Sequence, residues 1–225
     1  MKLIVIFTVM VLISSADAGI LGERCIEVVV GETFPGDEDV KDIDKYISFL
    51  GAGFCLPATE NLDFVVTIGR NKLEGREKGD IYDYEYDCYY HYWVWAEGKA
   101  TSFSGSLQYQ FSPRKKINPF LSIGVVRVKS ESESIVEIEG YSIRYSEEDS
   151  DTGFLLKEGL EFNITEESSI NMEVFYRSKI FDEYDTGINL GYNFWLTSQV
   201  LLSIGGGYCF NSENGSISMG FGIGF

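Results

Sequence analysis

Ser218-Met219-Gly220-Phe221-Gly222-Ile223-Gly224-Phe225 closes the chain, and apolar residues alternate in it with serine or glycine. Successive side chains of a strand point to opposite faces, so one face of this segment is greasy and the other nearly bare. A soluble protein can lay such a face on a core. Chain ends, however, are normally frayed and polar, and this one stops on Phe225. A final strand whose greasy face meets lipid makes sense of both features.

A polar residue, a glycine two positions on, a large apolar residue and a terminal aromatic stand here as Ser218, Gly220, Ile223 and Phe225. This order resembles the C-terminal signal of bacterial outer-membrane β-barrels. The resemblance implies a chain recognised by the barrel-assembly machinery and inserted into the outer membrane. Asn118-Pro119-Phe120-Leu121-Ser122-Ile123-Gly124 is likewise similar to the middle strand of small opacity-type outer-membrane barrels, which usually have eight strands.

The other end agrees. Met1-Lys2 is followed by an apolar run from Leu3 to Ile13 broken only by Thr8, and Ala16-Asp17-Ala18 offers small residues at cleavage spacing. We read residues 1–18 as a signal peptide cut after Ala18 and 19–225 as a single outer-membrane barrel domain. The run is too short to cross the roughly 30 Å of a bilayer core as a helix. Glu23-Arg24 ahead of Cys25 lacks the small residues of a lipidation site.

Acidic residues outnumber basic ones by 35 to 18, a net charge of −17 that losing Lys2 and Asp17 leaves unchanged. That balance excludes nucleic acid as a partner, because phosphate binding needs clustered cations. A mean hydropathy near zero suits a membrane barrel, which hides its apolar half in alternation.

The alternation runs the length of the chain. Greasy stripes recur at Val200–Phe210, Ile188–Phe194, Ile170–Tyr176, Phe154–Ile164, Phe103–Phe111 and Leu62–Ile68, and 23–31, 46–56 and 118–129 read as further strands. With the last segment these make an all-β, closed antiparallel transmembrane barrel of ten strands, with eight as the alternative. Residues 32–45, 71–100, 130–152, 180–184 and 211–214 are expected as outer connections. The links between Pro57 and Asn61, Ser112 and Ile117, Thr165 and Ser169, and near Thr197 are short inner turns.

A strand in hydrocarbon must have every backbone group paired, so the sheet has to close. Lys157, Glu161, Glu173, Arg177 and Arg70 are assigned to the lumen, where charges of both signs can neutralise one another. A ten-stranded lumen lies near the size that side chains fill, with a narrow pore as the alternative. Phe111, Phe120, Phe194, Trp195 and Phe225 are expected as the inner aromatic girdle, and Phe103, Phe154, Tyr176, Tyr208 and Phe210 as the outer one.

The outer connections carry most of the acid. Ile81 to Trp95 interleaves tyrosines, tryptophans and acids, and Tyr84, Tyr86, Tyr90, Tyr92 and Trp93 are candidates for surface recognition, since such rings give large contact area at low entropy cost. The competing reading makes this stretch a strand continuing beyond the membrane. Four cysteines in an exported chain are disulfide candidates, and topology favours Cys25 with Cys55 and Cys88 with Cys209.

Little points to chemistry. His91 is the single histidine, no nucleophile elbow is present, and no metal or cofactor is expected. Ten-stranded barrels include the omptin surface proteases, whose active site uses acids and a histidine. Here Asp83, Glu85, Asp87 and His91 fall in one segment, which does not supply two walls of a cleft. The sequence therefore points to a non-enzymatic, monomeric barrel in contact with outer-membrane lipid and displaying acidic, tyrosine-rich loops to an extracellular ligand. A narrow cation-favouring pore is the alternative, and a soluble β-sandwich the third reading.

Overall fold

The computed structural model describes residues 24–34, 46–83, 88–113, 115–138, 141–180 and 183–225. The leader with Ala16 and Ala18, the acids of 35–45, and Tyr84 to Asp87 lie outside them.

Ten strands follow one another: β1 (Cys25–Phe34), β2 (Tyr46–Pro57), β3 (Leu62–Asp83), β4 (Cys88–Gln110), β5 (Ile117–Ile138), β6 (Tyr141–Thr165), β7 (Ser168–Ile180), β8 (Glu183–Thr197), β9 (Val200–Cys209) and β10 (Asn214–Gly224). Each pairs antiparallel with its neighbour in sequence, and β10 returns to pair with β1 from Cys25↔Gly224 to Phe34↔Gly215, closing the barrel. This is one closed cylinder and no sandwich, because the greasy stripe on every strand faces the same way and leaves no second sheet to cover it.

Burial is inverted relative to a water-soluble barrel. Outward-facing Ile26, Val28, Val30, Leu107, Ile123, Leu190, Met219, Phe221 and Ile223 are exposed, while inward-facing Glu27, Gln108, Gln110, Asn118, Glu161, Glu173 and Asn193 are buried. An apolar surface extending around the whole circumference far exceeds the patches that soluble monomers tolerate. Lipid is the solvent that matches it, and the fold is a transmembrane β-barrel.

The seam carries no special device beyond the ladder and its end. Past the last ladder pair, the Phe225 amide donates to the Arg24 carbonyl at 3.1 Å, and the Phe225 ring stacks on Phe54 with centroids 6.3 Å apart. Inner turns are tight: the Ala58 and Thr59 amides both donate to the Leu62 carbonyl, at 2.7 and 3.1 Å. The β9–β10 connection is equally short and places Glu213 in the left-handed region, at φ 55°.

The strands differ greatly in length. β3, β4, β5 and β6 hold 22, 23, 22 and 25 residues, whereas the other six hold between 10 and 15. Most of residues 71–100 and 130–152, expected as loops, is therefore strand, and pairing continues to Asp83↔Cys88 and Ile138↔Tyr141. The backbone ladder does not depend on lipid, so it persists where the outward residues turn polar. On one flank β2 accompanies β3 only as far as Glu74, and on the other β7 pairs with β6 only from Leu155 downward. Four strands thus rise out of the cylinder as a projecting sheet.

Candidate functional site

Two regions carry polar chemistry, the lumen and the projecting sheet. At the turn end of the lumen Cys25, Trp195 and Leu201 form an apolar cluster, with Cys55 packed against it. Near the opposite rim Ala100, Val126, Val128 and Ile180 form a second apolar cluster. Between the two clusters lies a hydrogen-bonded interior.

That interior is connected across strands. The Gln110 amide donates to Asp63, and the Asn118 amide donates to Gln110 Oε1 at 3.2 Å and to Glu161 Oε2 at 3.4 Å. Lys157 Nζ lies 3.8 Å from Glu173 Oε1, which also accepts from the Asn189 amide at 2.6 Å. Ser203 donates to Glu27, Thr67 and Ser104 share a bond of 2.6 Å, and Arg177 pairs with Asp185. The placement of Lys157, Glu161, Glu173 and Arg177 is inward and buried. Arg70 is a correction: it faces outward and is exposed, because it continues the parity of Phe64, Val66 and Ile68 on β3.

The glycines of β8–β10 are floors under larger neighbours. A Cβ on Gly187 would come within 2.6 Å of the Phe175 ring, and one on Gly224 within 2.8 Å of Trp195. On Gly191 it would strike Asn171, and on Gly220 both Glu27 and Ser203. The space these glycines leave is occupied by side chains. Phe120 and Trp195, expected in the inner girdle, are also corrected to the lumen, since each shares parity with inward Asn118 and Asn193.

The expected disulfides are not formed. Cys25 and Cys55 are register partners, yet both are free thiols, and Cys25 packs against Trp195 and Leu201. Cys209 is also free, with its sulfur 3.6 Å from Asp185 Oδ1. Its proposed partner Cys88 stands opposite Asp83 at the far end of the projecting sheet, on a strand that does not neighbour β9.

The projecting sheet has two wet faces. On the outward face, the rows Lys72–Lys99–Glu131–Glu148 and Glu74–Glu97–Glu133–Ser146 run across β3 to β6. Lys129 spans Glu131 and Glu148 at 2.9 and 2.8 Å, Lys99 meets Glu97 at 2.5 Å, and Arg144 pairs with Glu133. Hydrogen bonds donated to Glu148 and Glu131 hold the Lys129 ammonium well above the ordinary lysine value, and Lys129 in turn holds Glu131 below the usual carboxylate range. Lys99 does the same for Glu97.

Further out the rings take over. Lys78 sits over the Trp93 ring at 5.8 Å, and Tyr82 and Tyr89 tilt together with centroids 4.9 Å apart. Trp93 is 59% exposed and Tyr141 81%, with Tyr89, Ile143 and Tyr145 also open. His91 contacts Asp80 across the β3–β4 pair on this open surface. Of the expected recognition residues, Tyr90, Tyr92 and Trp93 stand on β4, and Tyr84 and Tyr86 fall outside the described residues.

Sequence reading passed over one residue altogether. Glu158 lies on the outward parity of β6, between Leu121 of β5 and Val174 of β7, within the apolar belt. The signal was present in the run Phe154, Leu156, Glu158, Leu160, Phe162, where one greasy position is an acid.

No protein-family model matches the chain, and no curated protein does. Solved structures do resemble it. The translocator domain of autotransporter NalP from Neisseria meningitidis aligns over 94% of this chain and 90% of its own, at 9% identity and a TM-score of 0.43. Ail, the attachment invasion locus protein of Yersinia pestis, covers 90% of this chain and 97% of its own at 12% identity and a TM-score of 0.40. A de novo designed transmembrane β-barrel covers 91% and 96% at 10% identity and a TM-score of 0.38. At such identities and scores the likeness carries no functional argument.

Proposed function

We propose that this chain is a non-enzymatic barrel of the bacterial outer membrane that holds a four-stranded recognition sheet above the lipid. On this reading residues 1–18 direct export, and Ser218, Gly220, Ile223 and Phe225 present the final strand to the assembly machinery. The single observation that carries the proposal is that β3–β6 continue as a hydrogen-bonded sheet far beyond the last outward apolar residues, with Trp93, Tyr89, Tyr141 and Tyr145 open on it. Exposed aromatic rings on a rigid support are costly in water and suited to contact. The partner's chemistry follows from the acids: an extracellular surface bearing cations as well as apolar ground. A lumen crossed by a hydrogen-bonded, ion-paired network argues for a scaffold over a pore.

Trypsin added to intact cells of an expressing diderm host tests the display. Cleavage at Arg76, Lys78 or Arg144 with the barrel fragment retained in the membrane is expected. Protection in intact cells, with cleavage only after the outer membrane is permeabilised, would reverse the orientation and overturn the reading. Planar-bilayer recordings test the scaffold, with silence expected and stable discrete openings supporting a pore.

A further inference from the structure

We infer that Glu158 pairs two copies of this chain within the membrane, an inference that rests on the transmembrane reading above. Glu158 is the third of six positions in the stripe on β6 that runs from Phe154 at the top to Ile164 at the bottom. For a tilted strand this puts it roughly 10 to 15 Å from the ends of the greasy band, near the bilayer midplane. Its flanking side chains are Leu156 and Leu160 along the strand and Leu121 and Val174 across it, and none offers a hydrogen bond. Among the described residues no bond or ion pair reaches its carboxyl. Every other acid at this depth, Glu161 and Glu173 included, points inward and is bonded.

A lone carboxyl facing hydrocarbon is expensive, and such groups persist where something satisfies them. What satisfies this one must carry a donor and an acceptor at the same depth. Two copies in one membrane share orientation, and a twofold axis along the membrane normal brings identical residues together at identical depth. Each Glu158 then donates its hydroxyl to the carbonyl oxygen of its twin, leaving both groups satisfied. No second outward-facing carboxyl or amide lies in the central rows among the described residues, so self-pairing is the contact that meets Glu158 with a group of its own kind at its own depth. Leu121, Ile123, Met172 and Val174, all exposed, form the apolar ground around the pair. The sequence alone led to a monomer, and the pairing departs from that expectation.

Sedimentation equilibrium in density-matched zwitterionic micelles tests the inference on the full mature chain, with heat-modifiable gel migration in the same preparations as the check on folding. Wild type is expected to sediment at twice the protomer mass. Glu158→Leu should migrate as a folded barrel yet associate at least tenfold more weakly, and Glu158→Gln, whose amide keeps a donor and an acceptor, should pair within about threefold of wild type. Folded wild-type barrels that sediment as protomers, or a Leu variant that pairs as tightly as wild type, would overturn the pairing and leave the transmembrane reading intact. Wild type that shows no heat-modifiable, micelle-embedded species sinks that reading and the pairing with it.

Discussion

The short wall, β7 to β10 with β1, and the long wall, β3 to β6, share one backbone pattern and differ in where their side chains change. Outward residues of the short wall stay apolar nearly to the strand ends, as in Ile217, Met219, Phe221 and Ile223 on β10. On the long wall the outward residue becomes polar at Arg70 on β3, Thr101 on β4, Arg127 on β5 and Thr152 on β6, and the ladder runs on regardless. Inside, the short wall is floored with glycine beneath larger neighbours, whereas the long wall carries Ser102, Ser104, Ser106, Gln108 and Gln110. Strand pairing therefore fixes shape, and the side chains on each face decide which solvent surrounds it.

That division can be broken from the short wall first. Removing residues 218–225 strips β10 of most of its pairs with β1 and β9, leaving two edges in lipid, and the heat-modifiable species should vanish from detergent gels altogether. Lys157→Met strands Glu173 without its cation in the interior. A loss of roughly 3–5 kcal/mol in urea unfolding from lipid vesicles is expected, and a change under 1 kcal/mol would mean that Asn189 alone satisfies that carboxylate. Gly220→Leu drives a side chain into Glu27 and Ser203 and should cost about 1–3 kcal/mol in the same assay, while Met219→Leu on the lipid face next to it should cost far less.

The long wall gives the smallest effect, and a pH-dependent one. Glu97 and Glu131 are held below the usual carboxylate range, so their contribution is present above about pH 4.5 and is lost as pH falls through the depressed values. Lys129 is held high, so its contribution is full at neutral pH and is lost only in strong base. All three groups are open to water and screened. Amide-exchange protection in the projecting sheet, corrected for intrinsic rates, should fall between pH 6 and 3 while the barrel's stays constant. Equal loss in both regions would show that the two walls are not separable.

Strand number, closure and the inward sense of Lys157, Glu161 and Glu173 were legible because lipid and lumen impose opposite demands on alternate residues. The height of β3–β6 was not, since above the membrane both faces are wet and a strand such as Ser130 to Glu137 has the composition of a loop. Arg70 and Glu158 were misread or missed although parity located them: each continues a greasy stripe, and charge was allowed to outvote position. The cysteine pairs failed for two reasons. Cys88 stands at a height that depends on the illegible strand lengths, and Cys25 and Cys55, though register partners, stand as thiols in one apolar cluster with Trp195 and Leu201.

The upper half of β6 has one further consequence. From Tyr141 to Thr152 it is bonded to β5 on one side, and no described strand pairs with it on the other. A bare margin of this length is a template on which neighbouring polypeptides zip into aggregates, and natural sheets defend such margins with charge. Glu147, Glu148, Asp149 and Asp151 stand on that margin and on both of its faces, so a strand approaching from either side meets repulsion before it can bond. Much of the acidity of this chain therefore works as insulation, which keeps crowded copies from stitching these sheets to one another.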